Sequence, residues 1–210
     1  MIPYSAVATS KNNKKVLLDN NWRWLLSPCC PNVVWSGNIN TDHGYAIDNG
    51  VYADWAAGRE YQIHKFHRLL IQYGENADWI VIPDAVGDRK KTLELADKHI
   101  DELSDYPLML VIQDGMVISD ILPYLVKLKG IFLGGSTEYK LEKMKYWAKF
   151  ARENNILCHV GRVNTVKRLN LCFGAGATSF DGSGPARFIW TAKRLTGFLN
   201  MQKRQISMFK

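Results

Sequence analysis

DWIVIPDAVGDRKKTLELADKHIDELSDYPLMLVIQDG (residues 78–115) holds the pattern on which the fold turns. Its two ends, DWIVIPD (78–84) and PLMLVIQDG (107–115), are short apolar runs that close on polar residues. Between them Leu93, Ala96, Ile100 and Leu103 recur at spacings of three and four, the stripe of an amphipathic helix over 89–103. A strand that is apolar on both faces must be covered on both, as parallel strands flanked by helices are.

The unit repeats downstream. A short helix across Val117–Leu128, limited by Pro123, leads to the strand GIFLGGS (130–136). Leu141, Met144, Ala148 and Ala151 mark the next helix, followed by the strand NILCHVGR (155–162) and a helix starting near Asn164. GATSFDGSG (176–184) is the last strand, before a helix from about Pro185 to Leu199. Upstream, Ile63, Phe66, Leu70 and Tyr73 place a helix over 59–73. Before residue 58 the pattern loosens: YSAVATS (4–10), NVVWSG (32–37) and GYAIDNG (44–50) read as strands, and 18–26 as a short helix. Eight strand candidates predict an α/β fold, a single (β/α)8 TIM-like barrel. It is expected to be compact, somewhat irregular in the first 58 residues, and one domain over 1–210. An open doubly wound sheet is the structural alternative.

The bulk properties restrict the function. The 210 residues are 47% hydrophobic and 22% charged, an ordinary globular composition. No apolar run reaches membrane-spanning length, and the N-terminus lacks the basic and apolar regions of a signal peptide. Cys29, Cys30, Cys158 and Cys172 form no CxxC pair, so reduced thiols in a cytoplasmic protein are expected, with no metal site. Charge is one-sided: residues 1–105 carry 11 Lys+Arg against 14 Asp+Glu, and residues 106–210 carry 16 against 6. A basic half of this kind is a candidate polyanion footprint, though basic proteins without nucleic-acid partners are common.

In a barrel, function gathers at the C-terminal strand ends. Here these ends are Asp48-Asn49-Gly50, Pro83-Asp84, Gln113-Asp114-Gly115, Gly134-Gly135-Ser136, His159-Val160-Gly161-Arg162 and Asp181-Gly182-Ser183-Gly184. Carboxylates converging on one axis split their proton affinities, so that one serves as a base and another as an anion. Gly134-Gly135 lets a flat polar ligand approach the backbone. Plainer roles compete: Asp48 and Asp181 as caps or turn formers, Gly134-Gly135 as a βα turn, His159 as a satisfied core histidine. The seven tryptophans are expected mostly in the core, with one or two free to stack a base. No dinucleotide-binding, P-loop or nucleophile-elbow motif is present.

Taken in order, YAIDNG, DWIVIPDAVGD, LVIQDG, IFLGGSTEYKLEK, CHVGRVNTVKRL and SFDGSG resemble the tRNA-guanine transglycosylase superfamily over roughly residues 40–184. The likeness is closest to its short phage-type members, which look like 7-deazaguanine DNA transglycosylases. The resemblance implies a base exchange at guanine with no cofactor. It casts Asp181 as the nucleophile that forms a covalent glycosyl intermediate, and Asp48 as the proton-transfer and base-recognition group. It assigns Asp84, Gln113, Gly134 and Gly135 to holding the heterocycle, with Gln113 presenting both donor and acceptor. Its implied partners are DNA, with a flipped or single-stranded guanine, and a free 7-deazaguanine base; no membrane is involved. The setting would be the cytoplasm, that of a host cell if phage-encoded. Lys140, Lys143, Arg162, Lys167 and Arg168 are candidates for the nucleic-acid backbone, or equally for a solvated helix face.

The departures are specific. The Cys-rich zinc segment of the tRNA enzymes has no counterpart after Asp181, which favours DNA. The family's DSGG motif stands here as Asp48-Asn49-Gly50-Val51, and its FDC as Phe180-Asp181-Gly182. The same chemistry on tRNA, a non-catalytic nucleic-acid-binding subunit and a phosphosugar barrel enzyme using Gly182 and Gly184 are the alternatives.

Overall fold

The computed structural model describes residues 1–207. In chain order the elements are β1 (Ile2–Ala6), α1 (Lys11–Leu18), β2 (Arg23–Leu26), α2 (Asn32–Trp35), β3 (Tyr45–Ile47), α3 (Val51–Ala56), α4 (Ile63–Tyr73) and β4 (Ile80–Val81). They continue as α5 (Arg89–His99), β5 (Leu108–Ile112), α6 (Ile118–Ile121), β6 (Leu128–Leu133), α7 (Thr137–Glu153), β7 (Leu157–Val160), α8 (Val166–Ala175), β8 (Ser179–Gly182), α9 (Gly184–Arg187) and α10 (Ile189–Ser207). Each strand pairs in parallel with the next, and β8 returns to β1 with Tyr4 opposite Asp181, closing an eight-stranded barrel.

Strand periodicity divides the apolar residues into two cores. On β5 every residue is buried, but Leu108, Leu110 and Ile112 point to the helices whereas Met109 and Val111 point into the barrel. Tyr4, Ala46, Trp79 and Val81 share that interior. Its lower end is closed by a polar cluster: Tyr4 Oη donates to Asp78 at 2.8 Å, and Arg23 donates to the same carboxylate at 2.6 Å. Asp78 and Asp84 thus sit at opposite ends of one strand, the first tying the barrel floor and the second facing its mouth.

The sheet departs from the sequence reading in two places. Residues 18–26 do not form a helix: α1 ends at Leu18, the chain turns at Asn21 (φ 57°), and β2 follows. On β2 Trp24 and Leu26 are buried more deeply than Arg23 and Leu25, a period of two that four residues barely display. NVVWSG (32–37) is not a strand; Pro31 starts a helical turn whose end is held by Tyr73 Oη donating to the Val34 carbonyl at 2.6 Å. Strand β1 also begins earlier than residue 4, and the expected last helix divides into α9 and α10. Pro123 stops α6 and continues the chain as a 3-10 turn over Leu122–Lys127. Among the described residues no helix is long and apolar enough to cross a membrane, and all four cysteines are free.

Candidate functional site

The C-terminal strand ends enclose a cavity of about 540 Å³, and Asp48, Asp84, Gln113, Gly134, Gly135, Arg162, Arg168 and Asp181 all line it. Asp48 follows β3, its own N–H donating to the Leu26 carbonyl at 2.8 Å. Burial pushes its carboxyl up to about 7, helped by the negative charges of Asp181 and Asp84 and opposed by the backbone N–H groups of Gly50 and Asn49. Gly50 makes that turn possible. It has φ 85°, and a Cβ there would stand 2.7 Å from the Pro28 ring. Gly50→Ala is expected to cost about 2 kcal/mol or more from the strained φ and the contact together, read as a lowered denaturant midpoint.

Asp84 is held by two side-chain amides. Its Oδ1 accepts from Asn49 Nδ2 at 2.7 Å and its Oδ2 from Gln113 Nε2 at 2.6 Å. Asn49 Nδ2 also donates to the Ile82 carbonyl at 2.8 Å, and its Oδ1 accepts from the Val51 N–H at 2.9 Å. Burial raises the Asp84 carboxyl to about 6 against the donation from Asn49 and Gln113. A carboxylate has about four lone-pair sites, so two remain for a ligand N–H or amine. Gln113 is less free than expected from sequence: its Oε1 accepts from the Gly87 N–H at 3.1 Å, so both ends of the amide are engaged. Asn49, in sequence only a neighbour of Asp48, joins the β3 and β4 ends.

On the opposite wall stands Asp181. Its Oδ1 accepts from His159 Nε2 at 3.1 Å and from the Arg162 N–H at 3.3 Å. Among the described residues Oδ2 has no hydrogen-bond donor, and it is the oxygen left for the cavity. His159 is fully buried among Phe132, Trp79 and Tyr4, and burial lowers its proton affinity despite Asp181. It is therefore neutral; Nε2–H donates to Asp181 and Nδ1 accepts from the Ser179 hydroxyl at 2.9 Å. The satisfied core histidine and the site residue are the same side chain.

Arg162 shapes the roof. It holds φ 63°, a left-handed conformation that is costly for a residue with a Cβ, and this aims its N–H at Asp181. Its guanidinium donates to the Gly135 carbonyl and lies 4.5 Å over the Tyr52 ring. Gly135 itself has φ 71°, and a Cβ on Gly134 would come within 2.8 Å of Val111 Cγ1. The plain turn is present too, since Asp114 accepts from the Ser136 N–H at 2.9 Å and hydroxyl at 2.7 Å.

The remaining candidates separate. Arg168 lines the cavity, joined by Arg187, which sequence reasoning missed. Lys167 is exposed on α8, and Lys143 is a half-buried partner of Glu142 at 2.7 Å; neither lines the cavity. Lys140 is withdrawn from the surface, contrary to the backbone-contact reading. It is 5% exposed and its Nζ donates to the Gly161 carbonyl at 3.0 Å, where burial lowers its proton affinity to about 8. Lys140 thus fixes one end of the peptide unit whose other end, the Arg162 N–H, meets Asp181. Tyr61 was also missed. Its hydroxyl is buried without a hydrogen-bond partner, and burial with the charges of Asp48 and Asp84 holds it protonated. Neither Asp48 nor Asp181 caps a helix; Asp88, Ser136 and Thr165 do, on α5, α7 and α8.

The chain matches no known family and no curated protein. What fold and site together define is a parallel eight-stranded barrel of the kind that hosts many enzyme chemistries, with a carboxylate-lined cavity at its C-terminal face.

Proposed function

We propose that the protein is a DNA base-exchange enzyme that replaces guanine with a 7-deazaguanine through a covalent aspartyl-glycosyl intermediate. The observation that carries this reading is the division of labour between two carboxylates. Asp181 has one oxygen held by two donors and the other open to the cavity. Asp48 is a carboxyl raised to about 7, able to give and take a proton at neutral pH. In the first half, Asp181 Oδ2 attacks C1′ of the target nucleotide. The glycosidic bond breaks, its electron pair leaves with guanine, and the departing base takes the proton from Asp48. In the second half, the incoming deazaguanine gives a ring N–H proton to Asp48, and that nitrogen attacks C1′ and displaces the Asp181 carboxylate. Asp84, with Asn49 and Gln113 behind it, offers acceptors for the edge of the purine-like ring, and Gly134-Gly135 brings backbone to it. The ordered likeness of six strand-end motifs to guanine transglycosylases supports the same assignment.

The phosphosugar alternative loses its main support. A phosphate cradle at the last loop would need free backbone donors, but Gly184 N–H donates to Asn164 Oδ1 at 2.7 Å, and Gly182 packs on Asn164 and Val163. Release of labelled guanine from DNA, supplied with candidate deazaguanines, is the expected result when DNA and tRNA substrates are compared. Release from tRNA alone would reject DNA as the substrate and keep the chemistry. No release from either would reject the base exchange.

A further inference from the structure

Four of the seven tryptophans, Trp22, Trp24, Trp79 and Trp147, are fully buried, but Trp190 is 57% exposed. It pairs with Phe188, 51% exposed, at a centroid distance of 5.9 Å and an interplanar angle of 31°. Two large aromatic faces in water are unfavourable unless something covers them. Their support is firm: Asn13 Nδ2 donates to the Ala186 carbonyl at 2.9 Å, Phe188 N–H donates to the Gly184 carbonyl at 2.8 Å, and Thr191 and Ala192 are buried. The pair lies just after β8, and Arg187 beside it lines the cavity that holds Asp181.

Along the chain, the charges flanking the pair are basic. Lys193 and Arg194 are exposed one turn along α10 from Trp190. From residue 154 to the C-terminus the sequence carries nine Lys+Arg, and Asp181 is its one acidic residue. Rigid aromatic faces interleaved with cations suit a chain that alternates flat bases with phosphates, and the bases must be unpaired to stack. An apolar protein partner would use the rings and leave the cations without counter-charge.

We infer that Phe188 and Trp190, flanked by Arg187, Lys193 and Arg194, form a stacking platform for the unpaired nucleotides adjacent to the target, so that the protein acts on a single strand. This rests on the base-exchange reading and adds to it the strandedness and path of the substrate. The nucleotide seated on Asp181 has its neighbour guided past Arg187 onto the aromatic pair.

The test uses a dye-labelled run of deoxythymidines with one central guanine, free and annealed to its complement. Binding is read by anisotropy and by quenching of tryptophan emission. Single strand is expected to bind at least about tenfold more tightly than duplex, and Trp190→Ala or Phe188→Ala to lose about tenfold in affinity. Both side chains are exposed, so the variants should melt as the parent does; Ile71→Ala, an exposed apolar residue on α4, should bind as the parent. Arg187→Gln and Lys193→Gln are each expected to flatten the salt dependence by about one charge. Unchanged single-strand affinity in Trp190→Ala and Phe188→Ala, or equal affinity for duplex, overturns the platform. So does a variant that alters sedimentation of the protein alone and not DNA binding, which marks the patch as a protein interface. Tight, Trp190-dependent single-strand binding without guanine release would count against the base exchange and leave the platform standing.

Discussion

Asp181→Asn is expected to remove base exchange by about 10⁴-fold or more while DNA binding and folding persist. The substitution keeps the shape of the side chain and an oxygen for His159 Nε2–H and the Arg162 N–H, the two donors that hold Oδ1. What it removes is the negative charge and the nucleophilic second oxygen, which no other group supplies; Asp48 is held by burial as a proton-carrying acid and lies just after β3, across the barrel. Exchange that persists in this variant would mean another residue attacks the sugar.

Asp48→Asn should act on activity and stability in opposite directions. Loss of the proton donor is expected to slow guanine release about 10²- to 10⁴-fold. In the parent, single-turnover release should fall as pH rises through about 7, where Asp48 gives up its proton, and that inflection should vanish in the variant. For stability, the folded carboxyl binds its proton more tightly than one at the ordinary 3.8. The unfolded chain therefore releases that proton first, and stability declines as pH rises from about 4 to about 7. Asn carries no such penalty, so the variant should exceed the parent by on the order of 2 kcal/mol at pH 8, about 4–8 °C in melting temperature. The difference should close as the pH falls toward 4. A variant no more stable than the parent at pH 8 would show that Asp48 is not held against its charge.

The elements readable from sequence are those with many residues behind them. β5, with five apolar residues between helices, announces a buried parallel strand, and β6 to β8 repeat it. The exchange of assignments between 18–26 and 32–37 arose where four residues cannot separate a period of two from one of 3.6, and where Pro31 outweighs the β-branched Val33 and Val34. The polar strand ends were legible because a carboxylate after an apolar run is costly unless used. The wiring between them was not. His159 reaches Asp181 because the β7–β8 register sets His159 opposite Ser179, with Asp181 two residues on and on the same face. Lys140 reads as one more helix cation until the Gly161 carbonyl is seen above it. Tyr61 lies between α3 and α4, where no periodicity speaks, and its place beside Asp48 and Asp84 is set by folding alone.

The central claim is that Asp181 becomes covalently joined to the sugar of the target nucleotide. Denaturing the enzyme during turnover on a guanine-containing oligonucleotide, without an incoming base, should trap that ester. Peptide mapping by mass spectrometry should then place the nucleotide on Asp181. An adduct on Asp48 or on any other residue, or guanine release with no adduct in the parent protein, would contradict it.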